Sequence, residues 1–113
     1  MEYKREPTEK EKKLINLLIK RSTISYNRNW NKPLLVSPMN DGNMGSLFLY
    51  PKGYDFELRK FGWQISELEF KDIDGVNVVV SLNVDNEGEL YELDIWKTDF
   101  NQLIEIPDNL FSE

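Results

Sequence analysis

The run Val76-Asn77-Val78-Val79-Val80-Ser81-Leu82-Asn83-Val84-Asp85-Asn86-Glu87-Gly88-Glu89-Leu90-Tyr91-Glu92-Leu93-Asp94-Ile95-Trp96-Lys97 decides the fold. In its first part Val76, Val78, Val80, Leu82 and Val84 alternate with Asn77, Val79, Ser81 and Asn83. A period of two places the first set on one face of a β-strand and leaves the other face half polar. From Glu89 to Lys97 the alternation resumes, which predicts Tyr91, Leu93 and Ile95 on one face and Leu90, Glu92, Asp94 and Trp96 on the other. Asp85-Asn86-Glu87-Gly88 between them has the composition of a type I turn with Gly88 in the left-handed region. The run is a hairpin.

Working outward, Asp72-Ile73-Asp74-Gly75 is a second turn of the Asp-Gly kind. Before it a strand begins near Trp63. Trp63 and Ile65 are in phase there, while Leu68 and Phe70 are out of phase by one residue, so a β-bulge near Ser66 or Glu67 is expected. Further back, Leu34 to Met39 and Ser46 to Tyr50 are short apolar runs flanking Asn40-Asp41-Gly42-Asn43, residues that tolerate positive φ. They read as another hairpin, closed by Pro51-Lys52-Gly53. Ile24 to Pro33 shows neither period and reads as a loop. Beyond the last strand, Asp99 is placed to cap a short turn through Leu103. Pro107 is expected to end regular structure before a tail pinned by Leu110 and Phe111.

At the other end, Thr8 followed by Glu11 is a capping box, with Pro7 suiting the extended approach. A helix is predicted from about Glu9 to Ser22 or Thr23. Its apolar stripe is Leu14, Ile15, Leu17, Leu18 and Ile19, and Lys10, Lys12, Lys13, Asn16 and Lys20 fall mostly opposite. A one-faced antiparallel sheet must cover its apolar side, and this is the long amphipathic helix available for it. The expectation is an α+β fold in a single domain, residues 1–113: an N-terminal helix packed on an antiparallel meander of about five strands.

Composition narrows the chemistry. The chain has 113 residues, 40% hydrophobic and 12% aromatic, enough to bury roughly 65% of the surface its unfolded form exposes. It contains neither cysteine nor histidine. That excludes disulfides, thiolate and imidazole metal sites, and nucleophilic catalysis based on Ser-His-Asp or Cys-His. The remaining chemistry belongs to carboxylates, Lys, Arg, Tyr, Ser and Thr. A net charge of −6, from 20 acidic and 14 basic residues, opposes nucleic-acid binding, and the cations between Lys4 and Lys20 are interleaved with Glu. No run of 18 apolar residues occurs and the first residues lack an apolar export region, so no membrane role and a cytoplasmic location are expected.

Asn83, Asp85, Glu87, Gly88 and Asp94 fall at positions one, three, five, six and twelve of a calcium-loop template. That loop needs flanking helices, whereas both flanks here alternate with period two, so the same residues read as a hairpin turn. Asp72 and Asp74 could hold a hard cation together with a distant carboxylate, yet turns of this composition are usually only turns. Asp41-Gly42-Asn43-Met44-Gly45-Ser46 could present N–H groups to an anion, but it lacks the lysine and spacing of a P-loop. Glu92 and Asp94 share one face of the last strand with Trp96, across from Asn77, Val79, Ser81 and Asn83. Acid–base work there would require one carboxylate to be desolvated, and a sheet this small offers little concavity. Trp30, Trp63 and Trp96, with Phe48, Tyr50, Phe61 and Phe70, read most simply as core or its edge, and an exposed subset would argue for an interface.

The blocks Asp41-Gly42-Asn43-Met44-Gly45-Ser46-Leu47, Asp72-Ile73-Asp74-Gly75-Val76, Ser81-Leu82-Asn83-Val84-Asp85 and Glu92-Leu93-Asp94-Ile95-Trp96-Lys97-Thr98-Asp99-Phe100 resemble those of a family of small bacterial domains of unknown function. The resemblance covers about half the chain and implies no activity, ligand or catalytic residue. In size, charge and α+β make-up the chain also resembles the small acidic immunity proteins that neutralise polymorphic toxins, an analogy of character rather than motif. The expectation is a non-catalytic protein-binding module, immunity-type in its finer form, with no cofactor or metal. Glu92, Asp94 and Trp96 form its binding surface and Asp72, Asp74 and Asp85 its acidic rim. The competing expectation is a small-molecule or cation binder, or a carboxylate enzyme, built on the 41–46 loop or the 72–75 and 85–88 turns.

Overall fold

Helix α1 (Glu9–Lys20) begins where its capping box places it. The Thr8 hydroxyl accepts the Glu11 N–H at 3.1 Å and the Glu11 carboxylate accepts the Thr8 N–H at 2.8 Å, which satisfies two donors that a helix start leaves open. The computed structural model describes residues 3–26, 30, 33–40, 42–52 and 58–111. Glu11 also forms a two-pronged pair with Arg5, whose guanidinium donates to both carboxylate oxygens at 2.8 and 3.0 Å. Burial alone would push the Glu11 carboxyl up, but the bonds from Arg5 and Thr8 outweigh it and hold it below its ordinary value. The helix stops slightly before the predicted Ser22, because the Thr23 N–H leaves the helical ladder to donate to the Ile65 carbonyl.

The alternating runs form strands β1 (Leu34–Pro38), β2 (Leu47–Pro51), β3 (Phe61–Lys71), β4 (Asn77–Asp85) and β5 (Leu90–Lys97). They make one antiparallel sheet in the order β1-β2-β5-β4-β3. The hairpin β1-β2 is thus joined to the meander β3-β4-β5 by pairing β2 with β5, and the α+β reading of the sequence holds. The expected bulge lies between Gln64 and Ser66, and a second register shift separates Phe61 from Trp63. At the turns, Gly75 and Gly88 adopt φ of 85° and 83°, the left-handed values those positions require. Arg5 exchanges backbone hydrogen bonds with Val36, which partly covers the outer edge of β1.

One face of the sheet carries the core. Leu34 and Val36, Leu47 and Leu49, Leu68 and Phe70, Val78, Val80 and Leu82, and Leu93 and Ile95 are buried with Leu14, Ile15 and Leu18 of the helix. Fully burying an aliphatic side chain is worth about 1.5–3 kcal/mol, so these helix residues alone contribute several kcal/mol to docking α1. Two sequence expectations need correction. Leu90 joins the core and not the opposite face, because a register shift between Asn83 and Val84 pairs Leu90 with the buried Val84. Pro107 does not end regular structure. Its carbonyl accepts the Leu110 N–H at 3.2 Å and opens a 3-10 turn, Asp108–Phe111, whose Leu110 and Phe111 pack against the core. Of the loops and turns read from sequence, residues 27–29, 31–32, 41 and 53 lie outside the described residues.

Candidate functional site

The face of the sheet opposite the core is built from residues that alternate with it. Cross-strand pairing sets them in rows: Glu69, Val79 and Trp96 in one, Glu67, Ser81 and Asp94 in the next, then Gln64, Asn83, Glu92 and Phe48. Side chains opposite one another on a sheet face are near neighbours; Asp94 and Glu92 precede Trp96 along β5, Glu69 and Glu67 lie on the same face across β4, and Lys71, in phase with them, donates to Asn77 at 3.1 Å. Among the described residues no further helix or sheet is laid over this face. Glu67, Glu69 and Asp94 are exposed, and Trp96 leaves 43% of its surface open. Glu92 is half-buried and accepts the Asn83 amide at 3.2 Å. Glu92, Asp94 and Trp96 share one face of β5, as their spacing predicts, and Glu67 and Glu69, not singled out in the sequence, lie on the same face from β3. Their signal was the phase of β3, in which Leu68 and Phe70 point into the core.

The other three predicted residues sit at the two ends of the sheet and are bound within the chain. Asp72 is fully buried. Its carboxylate accepts N–H groups from Ile73, Ile104 and Glu105 at 2.7, 2.8 and 3.0 Å, and the Lys97 ammonium donates to it at 2.9 Å. Burial pushes this carboxyl up. The hydrogen bonds from Ile104, Lys97, Ile73 and Glu105 more than offset that and bring it down to about 2. Lys97 points from β5 into the core side, 1% exposed, and also donates to Asp74 at 2.7 Å and to the Gln102 carbonyl at 3.1 Å. The bond to Asp74 leads in raising Lys97 above an ordinary lysine, and the same contact leads in lowering Asp74. Asp72 is therefore a clamp that holds the segment after β5, and only Asp74 keeps part of its carboxylate at the surface.

Asp85 serves the opposite end. It is 0% exposed and accepts the Glu87 and Glu89 N–H groups of the turn at 2.8 and 2.9 Å. Its other oxygen accepts Arg59 Nε at 2.8 Å. The Arg59 guanidinium donates further to the Leu49 and Leu90 carbonyls, and its carbon lies 5.0 Å from the Tyr91 ring centre and 5.8 Å from that of Tyr50. The stretch Asn83 to Asp94 is accordingly a hairpin, with its Asp85 carboxylate turned inward onto a guanidinium.

The loop before β2 is likewise tied down. The Ser46 hydroxyl accepts the Ile95 N–H at 2.8 Å and donates to the Ile95 carbonyl at 3.1 Å. Met44 sulfur accepts the Lys97 N–H, and the Asn43 carbonyl accepts the Leu103 N–H. Asp41 lies outside the described residues. A cleft of about 300 Å³ runs between Glu6, Pro7 and Lys12 and the residues Trp30, Pro33, Leu34 and Leu35, and none of the carboxylates singled out lines it. Among the described residues no group of three or more carboxylates is placed to hold a metal ion, and no helix is long and apolar enough to cross a membrane.

No curated protein and no solved structure matches the chain. Residues 4–107 match the model of a family described as a domain of unknown function, DUF6984.

Proposed function

The chain belongs to that family of unknown function, and from its uncovered sheet face we propose that it is a non-catalytic protein-binding module that docks a basic partner. One observation carries the proposal: Glu67, Glu69, Glu92 and Asp94 share with an exposed Trp96 a face that the described chain leaves open, against one lysine, Lys71. Complementary charge speeds encounter and selects partners, while a large aromatic ring supplies the anchoring energy. An open sheet face favours docking over catalysis, because among the described residues no element lies over it to exclude water from a reacting carboxylate. In its finer form the proposal is an immunity-type protein that neutralises a basic toxin, an idea supported by the small size and the net charge of −6.

The test uses the intact chain and a variant in which Glu67, Glu69 and Asp94 are all changed to Lys, each immobilised and exposed to extract from the cells that make the protein. These side chains are solvent-facing, so circular dichroism should show the variant folded. The expected result is a protein retained by the native chain, lost by the variant, and released as salt rises. An identical set of retained proteins on both would overturn the proposal.

A further inference from the structure

At the end of β5 the chain turns sharply, with the Phe100 N–H donating to the Lys97 carbonyl at 2.8 Å. Phe100 takes φ of 64°, a left-handed conformation that strains any residue with a Cβ and that glycine or asparagine would adopt more easily. Burial does not compensate, since the side chain is 70% exposed. Its ring instead stands 6.0 Å from that of Trp96, centre to centre, with the planes inclined at 54°. The two rings make an open corner on the acidic face. Asp94 lies two residues before Trp96 on the same side of β5, with the Ser46 hydroxyl 3.5 Å from one of its carboxylate oxygens.

The opposite end of the molecule shows what such a corner accommodates. There two aromatic rings, Tyr50 and Tyr91, and one carboxylate, Asp85, enclose the Arg59 guanidinium. Trp96, Phe100 and Asp94 repeat those components at the surface, and among the described residues no cation lies over either ring. We infer that the Trp96–Phe100 corner, with Asp94 as counter-ion, is a seat for an arginine side chain of the partner. The inference deepens the docking proposal and rests on it for the identity of the guest as part of a protein. Arginine fits better than lysine because its planar guanidinium can lie on an indole face while its N–H fork meets a carboxylate. Glu67, Glu69 and Glu92 on the same face, outnumbering Lys71, favour a cation over an apolar guest.

The probe is N-acetyl-arginine amide, titrated against the isotope-labelled full chain while the Trp96 indole N–H is followed by NMR. That signal is assigned by its loss in Trp96→Phe. Neutral N-acetyl-citrulline amide, which has nearly the same shape, and the lysine amide are the comparisons. The arginine compound should give a saturable shift at millimolar concentration, at least threefold larger than either comparison at equal concentration. Phe100→Gly suits the backbone at that position and keeps the fold, and it should cut the response severalfold, as should Asp94→Asn. Equal responses to arginine and citrulline, or responses unchanged in both variants, would overturn the seat. The two proposals fail separately. Partner capture lost in the triple Lys variant but kept in Phe100→Gly leaves docking standing and removes the anchor, whereas an arginine response without any partner capture does the reverse.

Discussion

Replacing Asp85 by alanine should unfold the domain's turn end rather than merely remove a surface charge. The substitution deletes the acceptor for two turn N–H groups and for Arg59 Nε, and it takes this carboxylate away from a guanidinium whose side chain is 4% exposed. Removing one partner of a buried ion pair typically costs about 3–5 kcal/mol, and most of that reflects the charge left behind. Each turn hydrogen bond adds about 1 kcal/mol if its N–H stays buried. Against the roughly 5–15 kcal/mol that holds a domain of this size together, Asp85→Ala removes a third or more. Urea unfolding followed by tryptophan fluorescence reads the loss directly as a fall in midpoint at constant slope. Combining it with Arg59→Met should cost about 1–3 kcal/mol less than the sum of the single changes, because the Arg59–Asp85 contact can be lost only once. A loss below about 1 kcal/mol for Asp85→Ala, or strict additivity of the pair, would refute the reasoning and return Asp85 to the solvent-facing rim that the sequence suggested.

Two further outcomes follow from the same geometry. Asp72 sits at about 2 in the folded chain against 3.8 for an ordinary aspartate, so folding favours its charged form; the stability it adds is complete above about 3.8 and is lost as pH falls through about 2. Asp72→Asn should flatten the fall of the urea midpoint between about pH 4 and 2, and parallel slopes for the two proteins would count against the clamp. Gly62 faces the β4 terminus so closely that a Cβ there would run into the Asp85 carbonyl. Gly62→Ala should therefore cost about 1–3 kcal/mol in the same assay, and an unchanged midpoint would contradict the register of β3 against β4.

How far the sequence could be read depended on whether a signal was local. The capping box, the two-residue alternation of β4 and of β5 from Glu92 on, the bulge in β3 and the left-handed glycines are all set by neighbours a few residues apart, and each appears where expected. Strand order was not legible, since pairing β2 with β5 joins Leu47 to Leu93 and nothing local marks that contact. Turn composition likewise says that Asp72 and Asp85 bend the chain but not which way their carboxylates point. Both turn inward because a cation arrives from a distant segment, Lys97 in one case and Arg59 in the other. Lys97 itself reads as a polar strand end, although its phase with Leu93 and Ile95 already placed it on the core side. The surface of Glu92, Asp94 and Trp96 was legible because all three lie on one strand, and Glu67 and Glu69 joined it only once β3 was set beside β4.

The sheet order has a consequence for how the chain is made. The strand synthesised last, β5, is the one that occupies the middle of the sheet. Until it emerges, the β1-β2 and β3-β4 hairpins have no common partner, and each exposes an apolar flank that only β5 can cover. Assembly of this sheet during translation must therefore wait until Leu90–Lys97 has emerged, and its closing step joins strands that are far apart in the chain, a topology that slows folding. A ribosome stalled before Leu90 would display two sticky hairpins instead of a smaller working domain, which makes that interval the one in which a chaperone has most to do.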